Sequence, residues 1–189
     1  RVYYLDTTHE PKTETINDYK DDLKALGLIP AVVIGVGGGS AMDAAKALSI
    51  ILTNPGKTED YQGWDLVKEK PIFKVGIPTI SGTGAEVSRT TVLTGPVKKQ
   101  GINSIHSMFD QVILDPELLD GVPKDQRFYT AMDCYIHSVE ALCGRFINAF
   151  SRAYAEKALV LCRDVFLGES GDDELMIASM FGGYSIVYS

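Results

Sequence analysis

Three short runs of this chain carry residue types that can do chemistry. In Thr130-Ala-Met-Asp-Cys-Tyr-Ile-His137, Asp133 and His137 stand four apart. On a helix that spacing puts them one above the other on one face. A carboxylate oxygen and an imidazole nitrogen offered by one rigid element can share a divalent cation. The same residues also fit a helix start, with Thr130 and Asp133 in a Thr-x-x-acid capping pattern and His137 an ordinary half-buried histidine. Both readings stand at this point.

The second run is Ala31-Val-Val-Ile-Gly-Val-Gly-Gly-Gly-Ser40, followed by Ala41-Met-Asp-Ala-Ala-Lys46. Residues 31–34 are a short apolar stretch of the kind that forms a buried parallel strand. Gly37, Gly38 and Gly39 make a turn whose backbone can approach a ligand without Cβ interference. Ser40 and Asp43 fit a capping box that opens a helix running to about Leu52, where Asn54-Pro55-Gly56 stops it. Strand, glycine turn and helix N-terminus form a site for an anion such as a pyrophosphate. The dinucleotide fingerprint G-x-G-x-x-G is met at Gly35 and Gly37, with Ser40 in its third place. A tight turn with no ligand fits the same residues.

The third run is Gly76-Ile-Pro-Thr-Ile-Ser-Gly-Thr-Gly-Ala-Glu86, whose small residues leave backbone N–H groups and the hydroxyls of Thr79, Ser81 and Thr83 to meet a phosphate or a nicotinamide amide. Its place between two apolar strands argues for a site at the edge of a sheet rather than a plain surface connection.

The elements that position these runs fall into two parts. Strand-like stretches at 31–36, 72–77, 87–94 and 111–115 alternate with helical patterns at 14–27 and 41–52. Beyond Pro123 strand signals vanish and helices dominate, at about 125–146, 150–167 and 172–188. The boundary falls between Asp115 and Lys124, where Pro116 and Pro123 bracket Gly121.

Together with Ile113-Leu-Asp-Pro-Glu-Leu118, and with Met132 to Glu140 continuing the first run, these segments resemble the iron-containing (group III) alcohol dehydrogenases. The resemblance runs in order along essentially the whole chain. Ala41 stands where that family usually has proline, and Ile80-Ser81 where Thr-Ala is common. The resemblance implies an α/β dinucleotide-binding domain at 1–120 followed by an all-helical metal-binding domain at 121–189, a dehydroquinate synthase-like fold. It implies NAD or NADP as cofactor, with Gly38, Gly39 and Ser40 at the pyrophosphate and Asp43 in a catalytic position near nicotinamide and substrate. Further cofactor contacts are implied for Thr79, Ile80, Ser81, Thr83, Ser88, Val92, Lys99 and Leu118. Asp133 and His137 match two of the four ligands of an Fe2+ or Zn2+ ion. The family's other two are histidines further downstream, and its opening strand lies further upstream. The chain is therefore expected to be the middle of a longer protein. The implied reaction is hydride transfer between an alcohol or aldehyde and NAD(P).

Within the family, Asp60 to Leu66 and Thr94 to Asn103 look similar to the branch that oxidises the C8 hydroxyl of 3-deoxy-octulosonate (Kdo). The expected partners are a small alcohol or sugar acid and a second copy of the chain. Two other readings remain open. One is a dehydroquinate synthase-like lyase, which would want a glutamate ligand and a different glycine motif. The other is a catalytically silent nucleotide-binding fragment.

Composition narrows the classes further. A formal charge of −7 argues against a nucleic-acid surface, which wants a basic face. No apolar run reaches the ~18 residues of a membrane span, and a cytoplasmic location is expected. With 45% hydrophobic residues the chain can build a real core. Cys134, Cys143 and Cys162 are odd in number and unpatterned, which fits free thiols. Cys134 should lie roughly 100° around the helix from Asp133 and stay out of the metal site.

Overall fold

The computed structural model describes residues 1–6, 8–169 and 171–189. Its elements are α1 (Thr13–Ala25), β1 (Val32–Gly37), α2 (Gly39–Thr53), β2 (Gly63–Trp64), β3 (Phe73–Pro78), β4 (Thr90–Thr94), β5 (Lys99–Asn103), β6 (Gln111–Val112), α3 (Lys124–Leu142), α4 (Ala149–Phe166) and α5 (Asp172–Val187). By contacts the chain divides into two compact units. One holds Arg1–Ile77 and Arg89–Ile113, the other Pro78–Ser88 and Leu114–Ser189. The loop after β3 thus belongs with the helices, although in sequence it lies inside the α/β part.

In the first unit, α1 buries Thr13, Ile16, Lys20 and Leu23, the three-and-four spacing of one helical face. Helix α2 is buried almost all round from Met42 to Ile51, as expected of a helix with little polar surface. Ile16, Leu48, Ile50, Ile51, Leu93 and Ile102 share one core cluster. Each full burial of such a side chain stabilises the unit by about 1.5–3 kcal/mol. Two three-stranded sheets are present, in the orders β1-β3-β6 and β2-β5-β4. In the first, β3 and β6 run parallel with Val75 opposite Gln111. In the second, β4 and β5 form an antiparallel hairpin from Thr90↔Asn103 to Thr94↔Lys99, and β2 joins β5 in parallel.

The second unit packs α3, α4 and α5 around Cys134, Leu161, Cys162 and Ala178, with Ala131, Val165 and Leu175 in a neighbouring cluster. Asn148 caps α4 by accepting from the N–H groups of Phe150 and Ser151. Among the described residues no helix is long and apolar enough to cross a membrane.

Several expectations change. The strand at 31–34 is not wholly buried: α2 covers its Gly35 face, and Val32, Ile34 and Val36 on the other face are exposed. The strand expected at 87–94 begins only at Thr90, because the N–H groups of Val87 and Ser88 turn back to the Gly84 carbonyl. The strand expected at 111–115 stops at Val112. Asp115 caps a short 3-10 turn there, Pro116–Leu119, by accepting from the Glu117 N–H. The Thr79–Ser88 loop leaves the end of β3, and the strands that flank it, β3 and β4, belong to different sheets. Strand β5 carries too little apolar alternation to be read in advance.

Candidate functional site

Residues of the first unit converge on Asp43. Helix α2 begins at Gly39, with Gly38 in extended conformation as its N-cap and no side chain capping it. The Gly38 carbonyl accepts the Met42 N–H at 3.1 Å, the first helical bond. Ser40 is therefore inside the helix and Asp43 more than a turn along, which overturns the capping-box reading of that pair. The Asp43 carboxylate looks elsewhere. Its Oδ2 accepts the backbone N–H of Val92 at 3.0 Å, and its Oδ1 lies 3.8 Å from Lys46 Nζ, buried and without a hydrogen-bond partner. Burial pushes the Asp43 carboxyl up to about 6, against the opposing pull of Lys46, the Val92 N–H and Lys99. Lys99 itself pairs with Glu10 at the surface.

Lys46, outside the expected contacts, also belongs to this cluster. Its side chain is fully buried, donates to the Thr90 carbonyl at 3.1 Å and lies over the Phe109 ring. A lysine three residues after an acid, in a helix otherwise without charged side chains, is the signal that could have found it. Two glycines leading into the turn are required by space. A Cβ on Gly35 would stand 2.7 Å from that of Ala45, and one on Gly37, whose φ is +144°, 2.7 Å from that of Ala41.

In the second unit the Asp133–His137 pair lies in the interior of α3, which starts at Lys124. The Thr130 hydroxyl donates back to the Gln126 and Arg127 carbonyls instead of capping anything. The helix-start reading of Thr130 and Asp133 is thereby removed. Asp133 Oδ1 and His137 Nε2 are 3.8 Å apart, both partly open to solvent, and His137 Nδ1 is buried without a hydrogen-bond partner. Cys134 points the other way, into the core, with its sulfur 3.5 Å from that of Cys162. That contact, with burial, pushes the Cys134 thiol well up.

The same unit holds the Thr79–Ser88 loop. Contrary to expectation, its polar groups are not all free. The Gly82 N–H is taken by Ser179 Oγ at 2.7 Å, and Thr83 Oγ1 accepts from the Ala85 N–H at 3.2 Å. Ser81 Oγ is buried and unpartnered. Ile80 and Ser81 line a cavity of about 10 Å³ with Leu119, Arg127 and Thr130, room for one water at most. Leu118 is partly exposed on the 3-10 turn.

These groups fit a dinucleotide and part of a metal shell. An uncapped helix start after a glycine turn suits a pyrophosphate. In the first unit the buried Asp43 Oδ1 lacks a hydrogen-bond partner, a polar atom of the kind a bound group satisfies. Asp133 and His137 supply two donors for a cation; among the described residues no group of three or more His, Cys, Asp or Glu is placed to hold one.

Comparison with known proteins gives one family. Residues 1–116 match the family model described as iron-containing alcohol dehydrogenase. The sulfoacetaldehyde reductase of Bilophila wadsworthia is 38% identical over 143 residues, which cover 75% of this chain and 36% of that protein. Among solved structures, an alcohol dehydrogenase from Oenococcus oeni superposes with a TM-score of 0.90 at 25% identity, covering 100% of this chain and 51% of that one. A sulfoacetaldehyde reductase from Bifidobacterium kashiwanohense, in complex with NAD+, gives 0.85 at 26% identity, covering 98% and 51%. The chain thus spans about half the length of those structures and little more than a third of the curated relative.

Proposed function

The chain belongs to the iron-containing alcohol dehydrogenase family, and from that premise we propose that it carries the dinucleotide-binding half and part of the metal site of an NAD(P)-dependent oxidoreductase acting on an alcohol or aldehyde. The observation that carries the metal side is the Asp133–His137 pair, set in the interior of α3 where neither residue can serve as a cap. A bound divalent iron supplies a positive charge that favours the deprotonated form of an alcohol, and the nicotinamide supplies the hydride acceptor. Asp133 Oδ1 and His137 Nε2 would hold that cation. The N–H groups of Gly38 and Gly39, with Ser40, would meet the pyrophosphate. Thr79, Ile80, Ser81, Thr83, Ser88, Val92, Lys99 and Leu118 complete the proposed contacts. Asp43, with its carboxyl near 6, can hold or release a proton at Oδ1 close to neutral pH.

The finer reading is oxidation of the C8 hydroxyl of Kdo. It rests on Asp60–Leu66 and Thr94–Asn103, which meet as β2 and β5 with Gly63 opposite Ile102 and Trp64 opposite Asn103. Sulfoacetaldehyde is the competing substrate, from the name of the 38%-identical relative. Titration of the chain with NADH and NADPH, followed by nucleotide fluorescence, tests the core of the proposal. Saturable binding of at least one is expected, and binding of neither would overturn it. Turnover of Kdo, sulfoacetaldehyde and a simple diol then ranks the substrates, and no preference for Kdo removes that branch.

A further inference from the structure

Gly82 is held from two sides within the second unit. Its N–H donates to Ser179 Oγ on α5 across 2.7 Å, in a buried bond between residues 97 apart in sequence. Its Cα lies so close to α3 that an added Cβ would stand 2.3 Å from the Thr130 carbonyl oxygen. The loop then runs on against α5 with no side chains between, since a Cβ on Gly84 would meet the Gly183 Cα at 2.5 Å. The residue just before the pin, Ser81, is 4% exposed and its hydroxyl has no partner. A buried hydroxyl is costly when unpaired. Fixing the backbone at Gly82 also fixes the place of this hydroxyl within the loop.

We infer that Ser179 is a positioning residue: by accepting the Gly82 N–H it sets the Thr79–Ser88 loop in the conformation that receives the dinucleotide. The inference rests on the proposed role of that loop in cofactor binding. Ser179 touches no ligand itself and acts only through Gly82.

The test compares the unmodified chain with Ser179→Ala, which removes the acceptor, and Ser179→Thr, which keeps it. Ser185→Ala is the control, since it removes another buried hydroxyl of α5, one that donates to the Gly182 carbonyl. Gly82 amide hydrogen exchange and NADH affinity are measured well below each variant's melting temperature. In Ser179→Ala, exchange at Gly82 accelerates and NADH affinity falls, each by roughly tenfold, the scale of one buried hydrogen bond. Ser179→Thr restores both, and Ser185→Ala moves neither. Unchanged Gly82 protection in Ser179→Ala would overturn the inference, as would unchanged NADH affinity despite lost protection. Equal losses in the Ala, Thr and control variants would reduce Ser179 to a packing residue. If the unmodified chain binds no NADH while Gly82 protection still depends on Ser179, the dinucleotide reading itself has failed and the bond only packs the loop.

Discussion

Asp43 and Asp133 start from the same local pattern, a hydroxyl residue three places before an acid, and end in opposite surroundings. Asp43 is enclosed: its side chain is 14% exposed, one oxygen is bound by the Val92 N–H, and a buried ammonium stands nearby. Asp133 is open: its side chain is 42% exposed, and His137 faces it one helical turn away. The enclosed carboxylate is shaped by desolvation and can trade a proton near neutral pH. The open one keeps its oxygens exposed beside an imidazole. An identical hydroxyl-x-x-acid spelling can therefore end in an enclosed or an open carboxylate, and the packing around the helix decides which.

The steepest way to break the contrast is to disturb the glycine contacts beside each aspartate. Gly82→Ala would drive a Cβ into the Thr130 backbone, one turn before Asp133, and should cost about 3 kcal/mol or more, read by denaturant unfolding. Gly37→Ala, at the turn before Asp43, combines a φ of +144° with a 2.7 Å contact to Ala41 Cβ. It should cost up to about 3 kcal/mol and weaken NADH binding as well. A Gly82→Ala chain as stable as its parent would show that the loop is not pressed on α3.

Asp43→Asn sharpens the electrostatic side. The folded-state carboxyl sits near 6, above the ordinary 3.8, so the fold favours neutral Asp43. That contribution is fully present below about pH 3.8 and is lost as the pH rises through about 6. The amide can still accept the Val92 N–H. Asp43→Asn should therefore stabilise the chain by about 3 kcal/mol at pH 7.5 and change little at about pH 4. Thermal melts at both pH values check this, and a gain that ignores pH would contradict the burial argument. The smallest effects are expected from Thr130→Val and Ser40→Ala. Residues inside their helices should shift stability within about 0.5 kcal/mol, whereas true caps would lose about 1 kcal/mol.

Helix existence and rough extent were legible because Ile16, Lys20 and Leu23, or the apolar run of α2, repeat with helical spacing. Helix starts were less so. Gly38 and Pro123 open α2 and α3 without a side-chain cap, so the hydroxyl-x-x-acid pattern pointed to the wrong residues in both cases. The glycine turn and the Asp133–His137 spacing could be read directly, since each depends on residues a few places apart. Strand β5 could not, because Lys99, Gln100 and Gly101 lack alternation and its pairing with β4 and β2 fixes it. Ser179 left no trace either: its partner Gly82 lies 97 residues away, and only packing joins them.

The central claim is that the open pair on α3, and not the enclosed carboxylate, receives the cation. Co2+ added stepwise to the isotopically labelled chain, followed by NMR line broadening of backbone amides, tests it even for weak binding by two ligands. The account predicts that signals from Asp133 to His137 broaden first, that His137→Ala abolishes this focus, and that Asp43→Asn leaves it intact. Broadening centred on Asp43, or unchanged in His137→Ala, would contradict it.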